Sequence, residues 1–318
     1  FQHNILEAGA HWTDFPWRPA NNINRTGFPE PPPYAGDKRI FLAAQFYDVA
    51  HPVRRPLHEA YIRQCLDNFA SHSSVIHLIG AEFTGPLPFV EFWLDTIRTW
   101  EQDTGKQALV GLSVSKDVQD AILANPLRRA AVDLVDMRYW HYRSDGSLYA
   151  PAGGQNLAPR QHARKVRPGK PSFEQVLRAV REYRTRYPDK ALLYSAHLNP
   201  DLAWAVFMGG GSLPAIPQIG APGFLQAALS MSPVDLPGQA SDQWALGNAK
   251  GEYIVYSDSA RQVTLEPKPA LAGMTIYWID PKEGAILQKQ SQPPGTQTLE
   301  LTSPIAGPVV IWVTRSLQ

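Results

Sequence analysis

The stretch Ser74-Val75-Ile76-His77-Leu78-Ile79-Gly80-Ala81-Glu82 decides the fold class of this chain. An apolar, β-branched run ends in small residues and a carboxylate, turn residues follow at 83–86, and an amphipathic helix begins near Phe89. This order is typical of an α/β barrel, which presents its functional side chains at the carboxyl ends of its strands. Glu82 is therefore the first candidate for a catalytic acid.

The same alternation of strand and helix continues on both sides of that stretch. Residues 56–70 predict a helix whose apolar face carries Leu57, Tyr61, Cys65 and Phe69, with Cys65 as a packing residue. Further strands are predicted at Ala108–Leu112, Val132–Trp140, Ala191–Ser195 and Leu213–Pro217. Further helices are predicted around 89–100 and 117–124, after a Ser172/Gln175 capping box, and at 201–208 and 223–230.

Strands separated by helices imply a parallel sheet, so the fold class is α/β, of the (β/α)8 TIM-barrel type. About six strand–helix units are recognisable where a closed barrel has eight. Because Phe1 already lies in a predicted strand, roughly the first two units are expected to be missing. They were cleaved away, lie on a second chain, or are absent from the native architecture.

After residue 240 the pattern changes to short β runs separated by Pro and Gly turns, with no helix between them. These runs are Tyr253–Tyr256, Val263–Leu265, Thr275–Trp278, Thr298–Leu301 and Val309–Val313. They predict a small antiparallel β-sandwich. The expected domains are a catalytic barrel over 1–238, incomplete at its N-terminus, and a C-terminal β-sandwich over 239–318.

Composition excludes several classes of function. The 318 residues carry a formal charge of +1, so no global field favours nucleic acid or an anionic membrane, and no apolar stretch is long enough to span a bilayer. The opening Phe1–Leu6 has no methionine and no basic leader, which predicts a mature or truncated chain without a signal peptide. One cysteine excludes an internal disulfide or a cysteine zinc cluster. The 9 Trp, 12 Tyr and 29 Pro are typical of loop-rich, sugar-binding enzymes.

Four segments carry a resemblance to a known family: Glu82 at its strand end, Asp201–Gly211 (DLAWAVFMGGG), Gly247–Tyr256 (GNAKGEYIVY) and Phe1–Trp12 (FQHNILEAGAHW). Together they resemble the apiosidase-like glycoside hydrolases, in particular an uncharacterised, mostly bacterial subgroup involved in polysaccharide use. The resemblance implies a (β/α)8 barrel with a C-terminal sandwich of the type labelled collagen-binding, a carbohydrate substrate, and a secreted or periplasmic location.

The resemblance also implies a general acid/base after the fourth strand, and Glu82 matches that position. The family places a carboxylate nucleophile at the end of a late strand. Here that strand reads Ala191-Leu192-Leu193-Tyr194-Ser195-Ala196-His197 and has no carboxylate, so the sequence departs from the pattern at the second catalytic position.

Glycoside hydrolysis needs two carboxylates, one of them kept protonated by apolar surroundings. Glu82, between Ala81 and Phe83, suits the protonated role. Its partner is predicted among Asp136, Glu7, Asp133 and Asp48, of which Asp136 and Glu7 follow the pattern best. An ion pair with Arg138 is the alternative interpretation of Asp136. A wide separation between the two carboxylates would favour inversion.

Candidate substrate-binding residues lie at predicted strand ends and in the long polar loop near the N-terminus. Histidines and amides hydrogen-bond to sugar hydroxyls, aromatic rings stack on pyranose faces, and Arg160 is the best bidentate partner for a carboxylate or sulfate in the basic stretch 146–173. The residues are His3, His11, Trp12, Trp17, Arg18, Asn21, Asn22, Arg138, Tyr139, Trp140, His141, Arg160 and His197.

No local spacing such as HExxH supports a metal site, so no metal and no cofactor are predicted. Gly209-Gly210-Gly211 follows a predicted helix and lacks the Lys-Ser/Thr of a phosphate-binding loop, so it is interpreted as a helix terminus.

The sequence thus favours a hydrolase that cleaves a complex polysaccharide, with an acidic substrate as one hypothesis. Two alternatives stay open. One is a non-catalytic glycan-binding protein on a degenerate barrel, and the other is a polysaccharide lyase with a His or Tyr base. A hydrolase needs a second carboxylate within about 10 Å of Glu82, a lyase needs converging Arg or Lys and His or Tyr, and a binding protein needs neither.

Overall fold

The computed structural model describes residues 13, 15–30, 43–80, 85–154, 159–195, 200–236, 240–259, 262–266, 273–293 and 298–315, with the backbone alone at 43–44, 159–161 and 200–201. The chain forms two compact units, Phe1–Lys170 and Pro171–Gln318. The division into a barrel domain and a sandwich domain at residue 238 stays a prediction. None of the described helices combines the length and apolar character needed to cross a membrane.

Parallel strands form the centre of the first unit. β1 (Ile76–Ile79) pairs with β2 (Leu109–Leu112), and β2 pairs with β3 (Leu134–Met137), both in parallel. A helix follows β1 and another follows β2, because each parallel neighbour requires a crossover connection. The predicted parallel α/β region is thereby confirmed, while its closure into an eight-stranded barrel stays a prediction.

The helices of the first unit begin and end at recognisable residues. The longest, α3, follows Pro86, has Pro88 in its first turn, and ends at Gly105 in the left-handed conformation, with φ of 68°. The described helices here are α1 (Ala43–Phe46), α2 (Arg54–Phe69), α3 (Leu87–Thr104), α4 (Lys116–Ala124), α5 (Pro126–Arg129) and α6 (Pro159–Val166), beside a 3-10 helix at Pro19–Asn21. A short hairpin of β4 (His141–Tyr142) and β5 (Leu148–Tyr149) follows β3.

The predicted apolar face of α2 is wrong. Tyr61 and Phe69 on that face are 44% and 47% exposed. The face that is buried instead carries Arg54, His58, Ile62 and Leu66. Two of these four side chains are polar, so an apolar pattern at a spacing of 3.6 residues points to the wrong side of the helix.

The second unit begins with a helix, one strand and two further helices along the chain. α7 (Phe173–Arg186) starts at the predicted capping box, in which the Ser172 hydroxyl accepts from the Gln175 amide and the Gln175 side chain accepts from Ser172 N. The capping prediction is confirmed. β6 (Ala191–Tyr194), α8 (Pro200–Met208) and α9 (Phe224–Ala228) follow.

The predicted strand at Leu213–Pro217 is wrong, because no strand forms there. Leu213 has a φ of 50° and is 80% exposed. Pro214 and Pro217 have no amide hydrogen to donate to a sheet. The glycine run before it follows the end of α8, as predicted.

Antiparallel strands form the rest of the second unit. A six-stranded sheet has the order β12-β11-β14-β9-β8-β7, and β10 pairs with β13 in a second sheet. Both sheets contribute to one apolar core that includes Trp278, Val263 and Leu301. The strands are β7 (Ser232–Val234), β8 (Gln243–Gly247), β9 (Tyr253–Ser257), β10 (Gln262–Leu265), β11 (Met274–Ile279), β12 (Ile286–Gln292), β13 (Leu299–Thr302) and β14 (Val309–Arg315).

This antiparallel region confirms the change of architecture expected after residue 240. The five predicted strands correspond to β9, β10, β11, β13 and β14. The sequence did not predict β7, β8 or β12. Most of β12 is exposed and polar, since it lies at the sheet edge, and it therefore lacks the apolar alternation that identifies a half-buried strand.

Candidate active site at the carboxyl ends of the parallel strands

A buried carboxylate lies near the carboxyl end of β3. Leu112 on β2 is paired with Val135 on β3, so Ser113 and Asp136, one residue further along each strand, are neighbours. Ser113 Oγ donates to Asp136 Oδ2 over 2.9 Å. Ser113 is fully buried and Asp136 is only 3% exposed. The carboxylate is thus fixed by a hydrogen bond and shielded from water.

The chain leaves β1 directly beside this pair. Ser113 N donates to Ile79 O over 2.9 Å. Gly80 follows with a φ of 85°, and a Cβ at this position would overlap the carbonyl oxygen of Ser113. A glycine is therefore required both for its backbone conformation and for the close approach to β2. Glu82, the predicted acid, lies two residues further along the sequence, outside the described residues.

Aromatic and charged side chains surround the segment that follows β3. Lys116 Nζ lies 4.7 Å from the centroid of the Trp140 ring and forms an ion pair with Asp120 at 2.8 Å. The Arg138 guanidinium lies 5.7 Å from the centroid of the Tyr139 ring. Tyr139 and Trp140 are both buried, so in this structure the two predicted sugar platforms pack inside the protein.

The hairpin after β3 carries a histidine and a tyrosine that contact each other, and the tyrosine also contacts a histidine of α6. His141 is paired with Tyr149 across the hairpin, with their ring centroids 5.1 Å apart. The Tyr149 hydroxyl lies 3.0 Å from His162 Nδ1 on α6. Burial raises the pKa of Tyr149, opposed by the positive charge of Arg143, whose guanidinium lies 5.8 Å from the ring centroid. The contact ties α6 to the hairpin.

A backbone contact holds the loop after β5 near the end of β2. Gly153 N donates to both carboxylate oxygens of Asp117, over 3.1 and 2.9 Å. A Cβ on Gly153 would approach the Val118 side chain to 2.5 Å and Ser115 Oγ to 3.1 Å. The loop therefore packs tightly against the first turn of α4, which begins just after β2.

Trp17, from the N-terminal loop, is a core residue in this structure. Its ring is buried and stacks on His58, with the centroids 4.6 Å apart. It also contacts the rings of Phe28 and Phe46 edge-on. The structure thus places Trp17 in an aromatic core cluster against α2.

The polar candidates of the same loop bind neighbouring parts of that loop. Arg18 Nε forms an ion pair with Glu30 at 3.0 Å. Asn21 Nδ2 donates to Phe15 O over 3.0 Å, and Asn22 Nδ2 donates to Pro16 O over 3.0 Å. These contacts order the loop, and none of them joins it to the Ser113–Asp136 pair.

Of the predicted site residues, Asp136 lies in β3, and Arg138, Tyr139, Trp140 and His141 follow this strand along the chain. Asp133 lies just before β3 and accepts from Val110 N over 2.8 Å, so it is at the opposite end of the sheet. Asp48 pairs with Arg54 at 3.7 Å. The remaining predicted positions lie outside the described residues or, for Arg160, outside the described side chains: Glu7, Glu82, His3, His11, Trp12, Arg160 and His197.

The sequence did not single out Ser113, Lys116, Tyr149 or the contact made by His162. Ser113 directly follows the apolar run of β2, and a search for polar residues after every predicted strand would have found it. Across the described ranges, no three His, Cys, Asp or Glu side chains lie close enough to hold a metal ion.

The fold is similar to that of known glycoside hydrolases. A solved structure titled "Glycoside hydrolase" aligns with a TM-score of 0.52 at 13% identity, covering 81% of this chain and 68% of the other. The catalytic domain of GH30 xylanase C from Talaromyces cellulolyticus gives a TM-score of 0.44 at 12% identity, covering 82% and 67%. A Paenibacillus polymyxa xyloglucanase from glycoside hydrolase family 44 gives 0.37 at 13% identity, covering 86% and 61%.

The first of these similarities shows that the chain has a glycoside hydrolase-like α/β fold. At 13% sequence identity, it shows the fold alone. The chain spans about two thirds of the length of the structures it matches. Residues 1–231 match the family model described as "Domain of unknown function (DUF6298)", and the chain belongs to this family. No curated protein matches the chain.

Proposed function

We propose that this chain is a glycoside hydrolase that cleaves glycosidic bonds in a complex polysaccharide. Its parallel region would belong to a (β/α)8 barrel and its antiparallel region to a β-sandwich. The observation that carries the proposal is the Ser113–Asp136 pair, which fixes a carboxylate at the carboxyl end of a parallel strand on a glycoside hydrolase-like fold. Barrel enzymes build their active sites at this end.

Glu82 is the proposed general acid, because it follows the strand that leaves the sheet beside Ser113. It would donate its proton to the glycosidic oxygen as the bond to the sugar breaks. Asp136 or Glu7 would act as the second carboxylate, either as base toward a water or as nucleophile. Membership of the apiosidase-like glycoside hydrolases and a secreted or periplasmic location belong to the same proposal and rest on the sequence resemblance.

The proposal is tested by a product assay on a panel of neutral and acidic polysaccharides. Wild type is compared with Glu82→Gln and Asp136→Asn, which remove a charge at constant size. Glu283→Gln is the control, since Glu283 is an exposed carboxylate of the second unit. We expect new reducing ends from the wild type and the control. Loss of at least about 100-fold in turnover is expected for Glu82→Gln, the usual scale of general acid catalysis.

A non-catalytic glycan-binding protein is the second candidate, favoured by the absence of a carboxylate from Ala191–His197, where the resembled family has its nucleophile. The buried Asp136 would then have a purely structural role. Binding of a polysaccharide by both wild type and Glu82→Gln, without reducing ends from either, would establish this candidate and overturn the hydrolase. Ultraviolet absorbance from an unsaturated product would instead identify a lyase, to which the Tyr149–His162 contact would then be relevant.

A further inference from the structure

The segment from Arg138 to Lys170 carries an uncompensated positive charge. It holds seven of the 30 Lys and Arg residues of the chain and one of its 29 Asp and Glu residues. The single carboxylate, Asp145, accepts from Ser147 N within its own turn. The net charge of the whole chain is only +1, so this positive charge is a local property of one segment and not of the surface as a whole.

Within the part of the segment that the structure describes, the cations form no ion pair, although hydrogen bonds from Ser147 and the charge of Arg143 lower the pKa of Asp145. Among the residues that the structure describes, no carboxylate oxygen lies within 4.0 Å of the charged nitrogens of Arg138, Arg143, Arg164, Lys165, Arg167 and Lys170. Several arginines on other helices have such partners. Arg63 pairs with Asp103 at 2.6 Å and Arg181 with Asp235 at 2.8 Å.

The fold connects the parts of the segment that carry three of these cations. The Tyr149–His162 contact joins the hairpin, which carries Arg143, to α6, where Arg164 and Lys165 lie in the last turn. Gly153 anchors the intervening loop on Asp117. Both carboxylate oxygens of Asp117 thereby accept from this backbone amide. The whole segment follows β3, and so continues from the end of the sheet where Asp136 lies.

We propose that this cationic segment binds the acidic groups of a polysaccharide, the carboxylates of uronic acids or sulfate esters, and that the substrate of the proposed hydrolase is therefore an acidic glycan. This inference rests on the proposed function for its choice of a saccharide. Arginine side chains bind carboxylates and sulfates through paired hydrogen bonds. A near-neutral chain with one basic segment fits a ligand recognised at one site, whereas nucleic-acid-binding domains are usually strongly basic.

The test is affinity electrophoresis of the purified chain in gels that contain polygalacturonate, alginate or chondroitin sulfate. Fully methyl-esterified polygalacturonate is the matched neutral ligand, because it keeps the sugar backbone and removes its charge. We expect retardation by at least one acidic polymer, about tenfold weaker binding to the ester, and weakening by salt. Equal binding to the acid and its ester, or no binding to any acidic polymer, would overturn the inference.

The segment is tested by the triple variant Arg164→Gln, Lys165→Gln and Lys170→Gln, whose three side chains are exposed. The control is Lys106→Gln, Lys250→Gln and Lys282→Gln, with the same change in net charge at exposed positions elsewhere. We expect about tenfold weaker binding for the segment variant, since each exposed ionic contact contributes a few-fold. The control should bind within about twofold of wild type. Equal losses in both triples would contradict a localised site.

Further measurements separate this inference from neighbouring explanations. Exchanging Arg164→Lys and Lys165→Arg keeps the charge and the number of arginines and should retain binding. A urea unfolding midpoint equal to that of the wild type shows that the glutamine variant keeps its fold. Duplex DNA that binds as tightly as the best acidic polysaccharide would replace the saccharide by nucleic acid and overturn the inference.

Failure of the two proposals is distinguishable. A chain that cleaves neutral polysaccharides and ignores acidic ones retains its hydrolase function and loses this substrate class. A chain that binds polygalacturonate through the segment without cleaving any polymer retains the binding surface and loses the hydrolase function.

Discussion

Lowering the pH from 7 to 5 should destabilise this protein through His58. The imidazole is 2% exposed and packs among the rings of Trp17, Phe46, Phe89 and Phe92. Its Nε2 lies 2.9 Å from Phe46 O. A carbonyl only accepts, so the neutral ring carries its proton on Nε2 and donates it there. Protonation of the second nitrogen would place a charge inside this aromatic cluster.

The pKa of His58 is lowered from 6.5 to about 4. Burial is the main cause, the bond to Phe46 opposes it, and the nearby charge of Arg54 adds to it. A pKa unit corresponds to about 1.4 kcal/mol, so the full effect is about 3 kcal/mol. The neutral imidazole stabilises the fold fully above pH 6.5. This contribution decreases as the unfolded state takes up a proton, by about 2 kcal/mol at pH 5, and is lost below about pH 4.

The assay is urea unfolding of the wild type, His58→Gln and His72→Gln at pH 7 and pH 5, followed by tryptophan fluorescence. Glutamine keeps an N–H donor near the position of Nε2 and does not titrate. His72 is exposed and serves as the control. Between pH 7 and pH 5, the free energy of unfolding of the wild type should fall by about 2 kcal/mol more than that of His58→Gln. The free energy of unfolding of His72→Gln should change as that of the wild type does. Parallel losses in the wild type and His58→Gln would refute the assignment.

Two further predictions concern the glycine after β1 and the N-cap of α7. In urea unfolding, Gly80→Ala should lower the free energy of unfolding by at least about 1 kcal/mol more than Gly105→Ala. Both glycines have a positive φ, but only the Cβ at Gly80 would overlap the backbone of Ser113. Equal losses would contradict the close approach of β1 and β2. Ser172→Ala should lower the free energy of unfolding by about 1 kcal/mol and Ser172→Thr by much less, since threonine keeps the hydroxyl that accepts from Gln175 N and donates to Glu174. An alanine variant as stable as the wild type would show that the capping box contributes nothing.

The parallel region could be predicted because its strands are short apolar runs separated by amphipathic helices. The face of α2 could not, since Arg54 and His58 are buried there through contacts with residues distant in sequence. Arg54 Nη1 donates to Gly27 O over 3.0 Å, and His58 stacks on Trp17. Hydrophobicity along a single helix contains no information about such partners, so the apolar pattern favoured the neighbouring face.

The antiparallel region was predictable wherever strands alternate or are fully apolar, as in β11 and β14. β12 was missed because an edge strand needs only one neighbour, and its polar residues leave no apolar period. The false strand at 213–217 shows the opposite error. Its apolar residues suggest a strand, but two prolines and a left-handed Leu213 prevent pairing.

The candidate site was predictable as single residues and not as pairs. Residues at strand ends can be found along the sequence, and Asp136 and the segment that follows it were found in this way. Their partners depend on tertiary contacts: Ser113 meets Asp136 across two strands, and Tyr149 meets His162 between a hairpin and a helix. The local sequence around each residue contains no information about these contacts.

Strand register links the fold of the first unit to its chemistry. Since successive side chains of a strand point to opposite faces, a shift of β3 by one residue against β2 would turn Asp136 away from Ser113 and replace it by an apolar neighbour. Apolar pairing between β2 and β3 holds this register, and the close approach of Gly80 to Ser113 holds β1 against β2. The same packing that stabilises the sheet therefore positions the carboxylate, and a substitution that loosens the sheet would also reduce any activity that depends on Asp136.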